Sequence, residues 1–403
     1  MKKFIFILLM SVGLLYSQTE QKVFLTISKE FPRKLNICIL FNPTNSELNS
    51  EFLPVLKRDL EYSGYFSVKK VLTTKRAIEE MSGEADLVCI IEQNNQTIHT
   101  RLIDNFINVK YESSHVIEKK LSNLAHKICD EIVHTISRKP GIAQSKIAYV
   151  SKVNNIPQIF LIDYDGENRI QVTDTPWEKD FPKFLSDNNL CFLSYFQNNP
   201  SIVMPNFETD RENQFLSYPG LNAFIDISAA DSKIVFVSSK DGNPEIYLAF
   251  DGNIKRLTNF SGIDTHPCFS PDGNYIVFSS DRSGKPQVYI MNVNGAGLRR
   301  ISYGFDYAVS PVWSPDGNFI CFLARVGGLF QIVLYDVKNK TSVLLPVEGV
   351  WSESVSWAPD SRHIAFTRKQ NFRSSVWILD VFTGEMRQLT KDNQDCYSPA
   401  WSR

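Results

Sequence analysis

The sequence lacks an excess of either charge: 43 Lys and Arg residues stand against 44 Asp and Glu residues, and the formal net charge at pH 7 is −1. A chain with this balance has no overall field that would attract nucleic acid or an anionic membrane surface. The apolar run at residues 4–16 is also shorter than the ~20 residues that a membrane-spanning helix needs. We therefore expect any partner to be recognised by local shape and chemistry.

Cysteine is sparse and unpaired in pattern. The chain has seven cysteines, without any Cys-x-x-Cys pair, and most of them lie among apolar neighbours. This setting indicates small buried core residues rather than metal ligands or a disulfide framework. The odd count leaves at least one thiol unpaired.

Several catalytic and nucleotide-binding motifs are missing. The chain has no Gly-x-Ser-x-Gly elbow, no His-Glu-x-x-His zinc motif, no phosphate loop and no dinucleotide fingerprint. One constellation remains, because His126, Asp130 and His134 share one face of a predicted helix, as metal ligands would. That face lies opposite the apolar stripe of the helix, so we interpret the three as solvated polar residues and keep a metal site as the alternative.

The N-terminal residues have the order of a secretory signal. Lys2 and Lys3 come before the apolar run at 4–16, and a polar stretch follows at 17–20. We expect a signal peptide at 1–18 and export from the cytoplasm; the alternative is a buried N-terminal helix. Since no lipobox cysteine follows the run, neither a lipoprotein nor a membrane anchor is expected.

A repeat dominates the rest of the chain. Segments of the form aromatic-Ser-Pro-Asp-Gly recur, and their aromatic residues Phe269, Trp313, Trp357 and Trp401 follow one another at intervals of 44 residues. Weaker copies occur around residues 224 and 181. Between the copies lie short alternating runs that are separated by Asp, Asn and Gly turns. Four strands per repeat is the pattern of a β-propeller blade.

The ends of the repeat array predict how it closes. Residues 147–150, 158–164 and 169–173 form three predicted strands without a preceding copy of the repeat, whereas the last copy, at 399–402, has no strands after it. If the last strand completes the first blade, the result is a closed ring of six blades without exposed edges. We thus predict a six-bladed propeller at 146–403; the alternative is an open array of β repeats.

The region before the propeller has a different pattern. Strands are predicted at 23–27, 35–41, 86–92 and 97–104, and helices at 46–63 and around the apolar stripe that runs from Leu121 to Ile136. Gly64 is expected to end the first helix. These elements predict an α/β domain at 19–138 and a linker at 139–145, so the fold class is multidomain.

Candidate binding residues lie just before each innermost strand, where the loops of all blades reach one rim of the ring. Polar and aromatic side chains at such a rim suit protein recognition; acidic ones could also hold calcium or another cation in the channel. The alternative is that they are ordinary turn residues. The candidates are Asn222, Asp264, Thr265, His266, Asp306, Tyr307, Glu353 and Asp395.

The combination of a signal, an α/β domain and six blades resembles the TolB family of periplasmic propellers. The residues that carry the resemblance are the segment from Leu60 to Phe66, which is similar to the family's Leu-x-x-Ser-Gly-x-Phe, the strand end at 101–104, and the beginning of the first blade at 146–150. Propellers of prolyl-oligopeptidase-type peptidases carry similar Ser-Pro-Asp-Gly repeats, so the N-terminal region decides between the two families.

The resemblance implies a non-enzymatic role without a required cofactor. A monomeric family member would dock the peptidoglycan-associated lipoprotein Pal on the propeller rim and the inner-membrane protein TolA through its N-terminal segment, and so support outer-membrane integrity and cell division. Thr265 matches a rim threonine of the family, whereas Leu221 replaces a usual histidine. The alternative function is peptidase-like or carbohydrate-binding activity in the channel. The implied TolA segment includes Val23, Phe24, Leu25, Thr26 and Ile27.

Overall fold

The fold is taken from a computed structural model. It describes residues 33–42, 48–72, 85–185, 188–196, 199–206, 211–345, 347, 350–391 and 394–402. The predicted signal peptide and the predicted strand at 23–27 lie outside the described residues.

The first unit is a mixed sheet with two helices. Its elements are β1 Leu35–Asn42, α1 Leu53–Tyr62, β2 Phe66–Leu72, β3 Leu87–Asn94, β4 Thr97–Asp104, β5 Val109–Val116 and α2 Leu121–Ser137. The strand order is β2-β1-β3-β4-β5; β1 is parallel to both neighbours, and the other pairs are antiparallel. The predicted α/β region before the propeller is confirmed.

Both helices pack on one face of this sheet. The apolar side chains of β1 that point to this face are buried together with Leu56 and Leu60 of α1 and Leu124 and Ile128 of α2. The 3.6-residue spacing of these positions puts them on one side of each helix, which is why the helices lie flat on the sheet.

The first helix starts later than predicted. The sequence predicts a helix over 46–63, but α1 begins at Leu53 and a π-helical turn, Leu48–Phe52, precedes it. Pro54 explains the difference, because it has no N–H to donate to the preceding turn and so is accepted only in the first turn of a helix. Gly64, with a φ of +78°, follows the last turn as predicted.

Two strands of the sheet, β2 and β5, were not predicted. They are the two edge strands. Lys69 and Lys70 in β2 and Glu112 and Ser114 in β5 interrupt the apolar pattern, because one side of each edge strand faces solvent. Alternation alone therefore does not reveal these strands.

The rest of the described chain forms six blades. Blade 1 contains β6 Lys146–Val153, β7 Ile156–Asp163 and β8 Ile170–Gln171, and blade 2 contains β9 Lys179–Phe184, β10 Leu190–Ser194, β11 Ser201–Asn206 and β12 Arg211–Leu216. Blade 3 contains β13 Asn222–Ile227, β14 Ile234–Ser238, β15 Glu245–Phe250 and β16 Asn253–Arg256, and blade 4 contains β17 Asp264–Phe269, β18 Tyr275–Ser280, β19 Gln287–Asn292 and β20 Arg299–Arg300. Blade 5 contains β21 Ala308–Trp313, β22 Phe319–Val326, β23 Leu329–Asp336 and β24 Thr341–Leu344, and blade 6 contains β25 Val350–Trp357, β26 His363–Gln370, β27 Arg373–Asp380 and β28 Met386–Gln388.

The last strand, β29 Cys396–Trp401, pairs antiparallel with β6 and becomes the innermost strand of blade 1. The closure is reinforced beyond the strand pairing: Ser402 N donates to Lys146 O at 2.8 Å, and Trp401 Nε1 donates to Ser145 Oγ at 2.7 Å. The predicted six-bladed ring is confirmed, with its predicted closure.

The second strand of each blade lies between two neighbouring blades and is buried on both faces. Every residue of β10 is buried, for example, and all but the first in β14. Strands in this position read as continuous apolar runs rather than alternating ones. The cysteines follow the same rule: all seven are buried, where the sequence predicts burial for most of them.

Candidate functional site

The ring has two faces that differ in which loops they carry. Each innermost strand begins at one face, which also carries the turn between the second and third strands; we call it the start face. The beginning of an innermost strand contacts this turn of the neighbouring blade. For example, Asp264 N donates to Pro244 O, and Ala308 N donates to Pro286 O. The turns that follow the first and third strands form the opposite, end face.

A bulge interrupts the pairing of each innermost strand with its neighbour, such as that between Thr265 and Cys268 or between Val309 and Val312. At these bulges Phe181, Phe224 and His266 have a φ between 47° and 51°. A bulge re-aims the side chain of the extra residue. Here it turns them into the central channel, where they line a cavity of about 340 Å³.

Two of the predicted rim residues are fully buried. Asn222 donates from Nδ2 to Pro200 O at 3.1 Å and to Tyr218 O at 2.6 Å, and Asp264 accepts hydrogen bonds of 3.0 and 2.7 Å from Arg282 Nη2. Burial raises the pKa of the Asp264 carboxyl, and the hydrogen bonds from Ser280 and Arg282 oppose that rise. Both side chains form hydrogen bonds within the protein, so their role at this face is to hold the conformation of its loops.

Thr265 and His266 lie next to each other and are half-buried. Thr265 Oγ1 lies 3.1 Å from His266 Nδ1, and the His266 ring lies on Phe224 with 3.7 Å between ring centroids. Burial lowers the pKa of His266 to about 3, so its imidazole is neutral at physiological pH. His266 thus belongs to the aromatic wall of the channel rather than to the exposed rim.

The remaining candidates differ in exposure. The Asp306 side chain is 87% exposed and lies 3.9 Å from Lys285 Nζ. Tyr307 is half-buried against Phe330, with ring centroids 5.8 Å apart. Asp395 Oδ1 accepts a hydrogen bond of 2.8 Å from Ser374 N. The side chain of Glu353 lies outside the described residues.

The start face also carries exposed apolar side chains that the sequence analysis missed. Tyr303 is 68% and Phe372 92% exposed. They lie in loops, which have no regular alternation of buried and exposed positions, so no periodic pattern could reveal them. Only the presence of a large apolar side chain in a polar loop could have indicated them. The others at this face are Tyr195, Phe196 and Ile263 in loops and Leu329 at the beginning of β23.

The end face is occupied by the α/β domain. Lys139 Nζ lies 3.0 Å from Asp316 Oδ2 of blade 5, and Lys34 Nζ lies 2.6 Å from Glu385 Oε2 of blade 6. Arg58 of α1 pairs with Asp165 of blade 1. The domain is therefore fixed over three blades on the side opposite the predicted rim.

The polar face of α2 forms part of this contact, which corrects the interpretation of His126 and Asp130 as solvated, whereas His134 is exposed as predicted. His126 is buried, and its Nδ1 lies 2.6 Å from Asp59 Oδ2 of α1; the other oxygen, Asp59 Oδ1, accepts a hydrogen bond from Tyr164 of blade 1. Asp130 accepts the N–H of Ala143 at 2.8 Å. Asp59 lies 67 positions from His126 in the chain, so spacing along the helix could not reveal this contact.

Hydrogen bonds and charge–charge contacts hold this face of α2. Burial opposes a charge on His126, but its hydrogen bond to Asp59 and the charges of Asp59 and Asp165 outweigh that and raise its pKa. Within the described ranges, no group of three or more His, Cys, Asp or Glu side chains is placed to hold a metal ion.

In the same ranges, no helix has the length and apolar character to cross a membrane.

A charged pair inside the channel was also missed. Lys183 Nζ lies 3.0 Å from Asp226 Oδ1, and Asp226 Oδ2 accepts a hydrogen bond of 2.8 Å from Phe269 N. The two residues occupy corresponding positions on β9 and β13, two residues after the bulge. An alignment of the weaker repeats on the bulge position would have placed them side by side.

Comparison with known proteins supports the fold and a family. TolB from Acinetobacter baumannii superposes with a TM-score of 0.80 at 22% identity, covering 92% of this chain and 97% of that one. The putative TolB from Agrobacterium tumefaciens superposes with a TM-score of 0.50 at 15% identity, covering 64% of this chain and 99% of that one. At these identities the likeness shows the fold alone.

In sequence, the Tol-Pal system protein TolB of Bordetella pertussis is 30% identical over 166 residues, which is 39% of this chain and 36% of that protein. The chain thus matches little more than a third of the length of this curated relative. A family model described as the TolB beta propeller domain matches residues 133–403. Because that match covers well over half of the chain, the chain belongs to the TolB β-propeller family.

Proposed function

We propose that this protein is a periplasmic interaction scaffold of the Tol-Pal system, which binds partners without catalysis. It docks a Pal-like peptidoglycan-associated lipoprotein on the start face and a TolA-like inner-membrane protein through its N-terminal segment. It thereby supports outer-membrane integrity and constriction at division. The observation that carries the proposal is the match of residues 133–403 to the family model of the TolB beta propeller domain.

The chemistry of the start face supports docking there. The α/β domain covers part of the end face, and exposed aromatic side chains such as Tyr303 and Phe372 lie on the start face with the charged Asp306. Aromatic residues are enriched at protein interfaces because they bury a large rigid area at little entropic cost. Thr265 lies at the inner margin of the same face.

The N-terminal segment is proposed to reach the second partner. Residues 23–27 alternate between apolar and polar side chains towards their end and would suit addition to a strand of a partner. We further propose that the two binding sites are coupled. Binding of the lipoprotein at the start face changes the affinity of the N-terminal segment for its partner, and the reverse holds as well. Deleting residues 19–27 is expected to abolish binding of the TolA-like protein, and retained binding would contradict this part of the proposal.

A pull-down from envelope extract tests the docking face. The mature protein is the bait, and the test variant combines Tyr303→Ser with Asp306→Arg, both in exposed positions whose replacement leaves the core intact. The matched control is Glu167→Arg, which makes the same charge change in an exposed turn of the end face. Bound proteins are identified by mass spectrometry.

The native bait and the control are expected to recover a peptidoglycan-associated lipoprotein, and the start-face variant is expected to lose it. Equal recovery by all three baits would move the contact away from this face. Recovery by none of them would contradict the proposed function.

A further inference from the structure

The central cavity is a site separate from the exposed start face. Its lining begins at the bulges of the innermost strands and extends to the prolines of the end-face turns, such as Pro271 and Pro315. At about 340 Å³ it lies at the small end of the roughly 300–1,000 Å³ typical of ligand pockets. A cavity of this size suits a ligand of one or two rings.

Blades 2, 3 and 4 form an aromatic arc of the cavity wall. The Phe181 and Phe224 rings meet edge to face with 4.7 Å between centroids, and His266 lies 3.7 Å from Phe224. All three line the cavity at its start-face end. Because they contact one another, they form a wall there against which a ligand coming from the end face would stop.

Blades 5 and 6 form a hydroxyl arc opposite the aromatic one. The residues that correspond to the three aromatic ones are Ser310 and Ser354, which both line the cavity. Ser310 is 3% exposed, and its Oγ has no hydrogen-bond partner among the described residues. A buried hydroxyl without a partner is costly, so such a group in a cavity points to a ligand or an ordered water.

The charged groups that line the cavity on the end-face side of the bulges carry no net charge. Lys183 and Asp226 pair at 3.0 Å on the cavity wall. The pair offers both a donor and an acceptor, but it does not favour an ion of either sign. A ligand that matches this cavity is uncharged, has one apolar face, and carries groups that both donate and accept hydrogen bonds.

We propose that this cavity binds a neutral saccharide of one or two rings. The C–H face of a sugar ring packs on the aromatic arc, and its hydroxyls bond to Ser310 Oγ and to the Lys183–Asp226 pair. An extended peptide fits less well, because the aromatic arc leaves it no continuous path. The inference goes beyond the proposed scaffold role and does not rest on it, since the cavity extends to the end face.

Titration of the mature protein with N,N′-diacetylchitobiose and, separately, with cellobiose tests the proposal. Trp313, Trp357 and Trp401 line the cavity, so their fluorescence reports binding, and saturation-transfer NMR gives a second readout. The two sugars distinguish an amino-sugar source from a plain hexose source. N-Acetyl-tri-alanine amide, called tri-alanine below, serves as an uncharged peptide probe of similar size.

Saturable binding of at least one sugar is expected. Ser310→Ala should weaken it roughly 5- to 10-fold, as for one lost hydrogen bond, and Ser354→Leu, which fills the cavity, should abolish it. The control Ser238→Ala alters a buried serine outside the cavity and should bind as the native protein does. Circular dichroism checks that each variant is folded.

Three results would overturn the proposal: no saturable signal with either sugar, equal affinity in the Ser310→Ala variant, or binding of tri-alanine as tight as that of the sugars. The Tyr303→Ser, Asp306→Arg variant is expected to bind sugar normally. Failure of the lipoprotein pull-down and failure of sugar binding are therefore separate outcomes.

Discussion

Asp264 illustrates what one buried charge does in a loop of this ring. Both of its carboxylate oxygens accept hydrogen bonds from Arg282, whose side chain is 18% exposed. The Arg282 guanidinium also lies over the rings of Phe260, Phe278 and Tyr289, at 5.2 to 5.4 Å from their centroids. The pair thus ties the beginning of β17 to the turn between β18 and β19.

Replacing Asp264 by Ala is expected to lower the free energy of unfolding by about 3 kcal/mol, because it leaves the Arg282 charge without its partner in a largely buried site. Urea denaturation followed by circular dichroism measures the change. Asp306→Ala is the control, since its side chain is exposed, and it should lie within about 0.5 kcal/mol of the native protein. Equal losses in the two variants would refute the argument.

Asp264 also shows which property of the site could not be predicted from the sequence. An Asp in a loop before a strand is typical of a solvent-facing group, so the sequence predicts Asp264 at the docking rim. Its burial depends on Arg282, which a separate strand brings back to it, and no local pattern pairs the two. Asp306, in the corresponding loop of the next blade, lies 3.9 Å from Lys285, and both side chains are exposed, at 87% and 67%.

At the scale of single elements, α2 connects the two parts of the molecule. Its apolar side packs on the sheet, and its polar side meets α1 and blade 1 through His126, Asp59 and Tyr164. The raised pKa of His126 makes part of this contact pH-dependent. A histidine whose pKa is raised on folding stabilises the fold fully below its unfolded pKa of ~6.5, and that contribution is lost as the pH rises through the folded pKa.

His126→Asn is therefore expected to lower the free energy of unfolding by about 2 kcal/mol at acidic pH, the typical size of a hydrogen bond to a charged group. The gap to the native protein should narrow as the pH rises above ~6.5. Urea denaturation across this pH range gives the comparison. His134→Asn, at an exposed position of the same helix, should run parallel to the native protein; a constant gap for His126→Asn would contradict the assignment.

How well an element could be predicted follows from how many of its faces are buried. The blades repeat one pattern, so their period and their turns were readable even where single copies are weak, as around Phe181 and Phe224. In the α/β domain, strands β1, β3 and β4 could be predicted because their buried positions give a clear apolar pattern. The edge strands β2 and β5 were missed, because their sequence is set partly by solvent and partly by the need to avoid further pairing.

At the scale of the whole molecule, the ring depends on β29. This strand supplies the innermost position of blade 1, and Trp401 contributes to the core that blade 1 shares with the α/β domain. Without it, β6 would become an open edge, and blades 2 and 6 would lose the strand they pack against in the centre of the ring.

Deleting residues 396–403 is expected to abolish the cooperative thermal transition and to drive the protein into aggregates, because the loss exceeds the roughly 5–15 kcal/mol that stabilises a typical domain. Differential scanning calorimetry and size-exclusion chromatography measure both effects. Deleting residue 403 alone keeps the bonds of Ser402 to Lys146 and serves as the control. A soluble, cooperatively melting product from the longer deletion would show that the ring tolerates an open blade.

Closure by β29 also sets the order of events during folding. Lys146 and Ser402, which bond to each other, are 256 positions apart in the chain. The entropy lost on closing a loop grows with loop length, so contacts between such distant residues form late. Blades 2, 3 and 4 contain only strands that are consecutive in the chain, whereas blade 1 stays incomplete until its two distant segments meet. The propeller therefore becomes a closed ring in one late, long-range step.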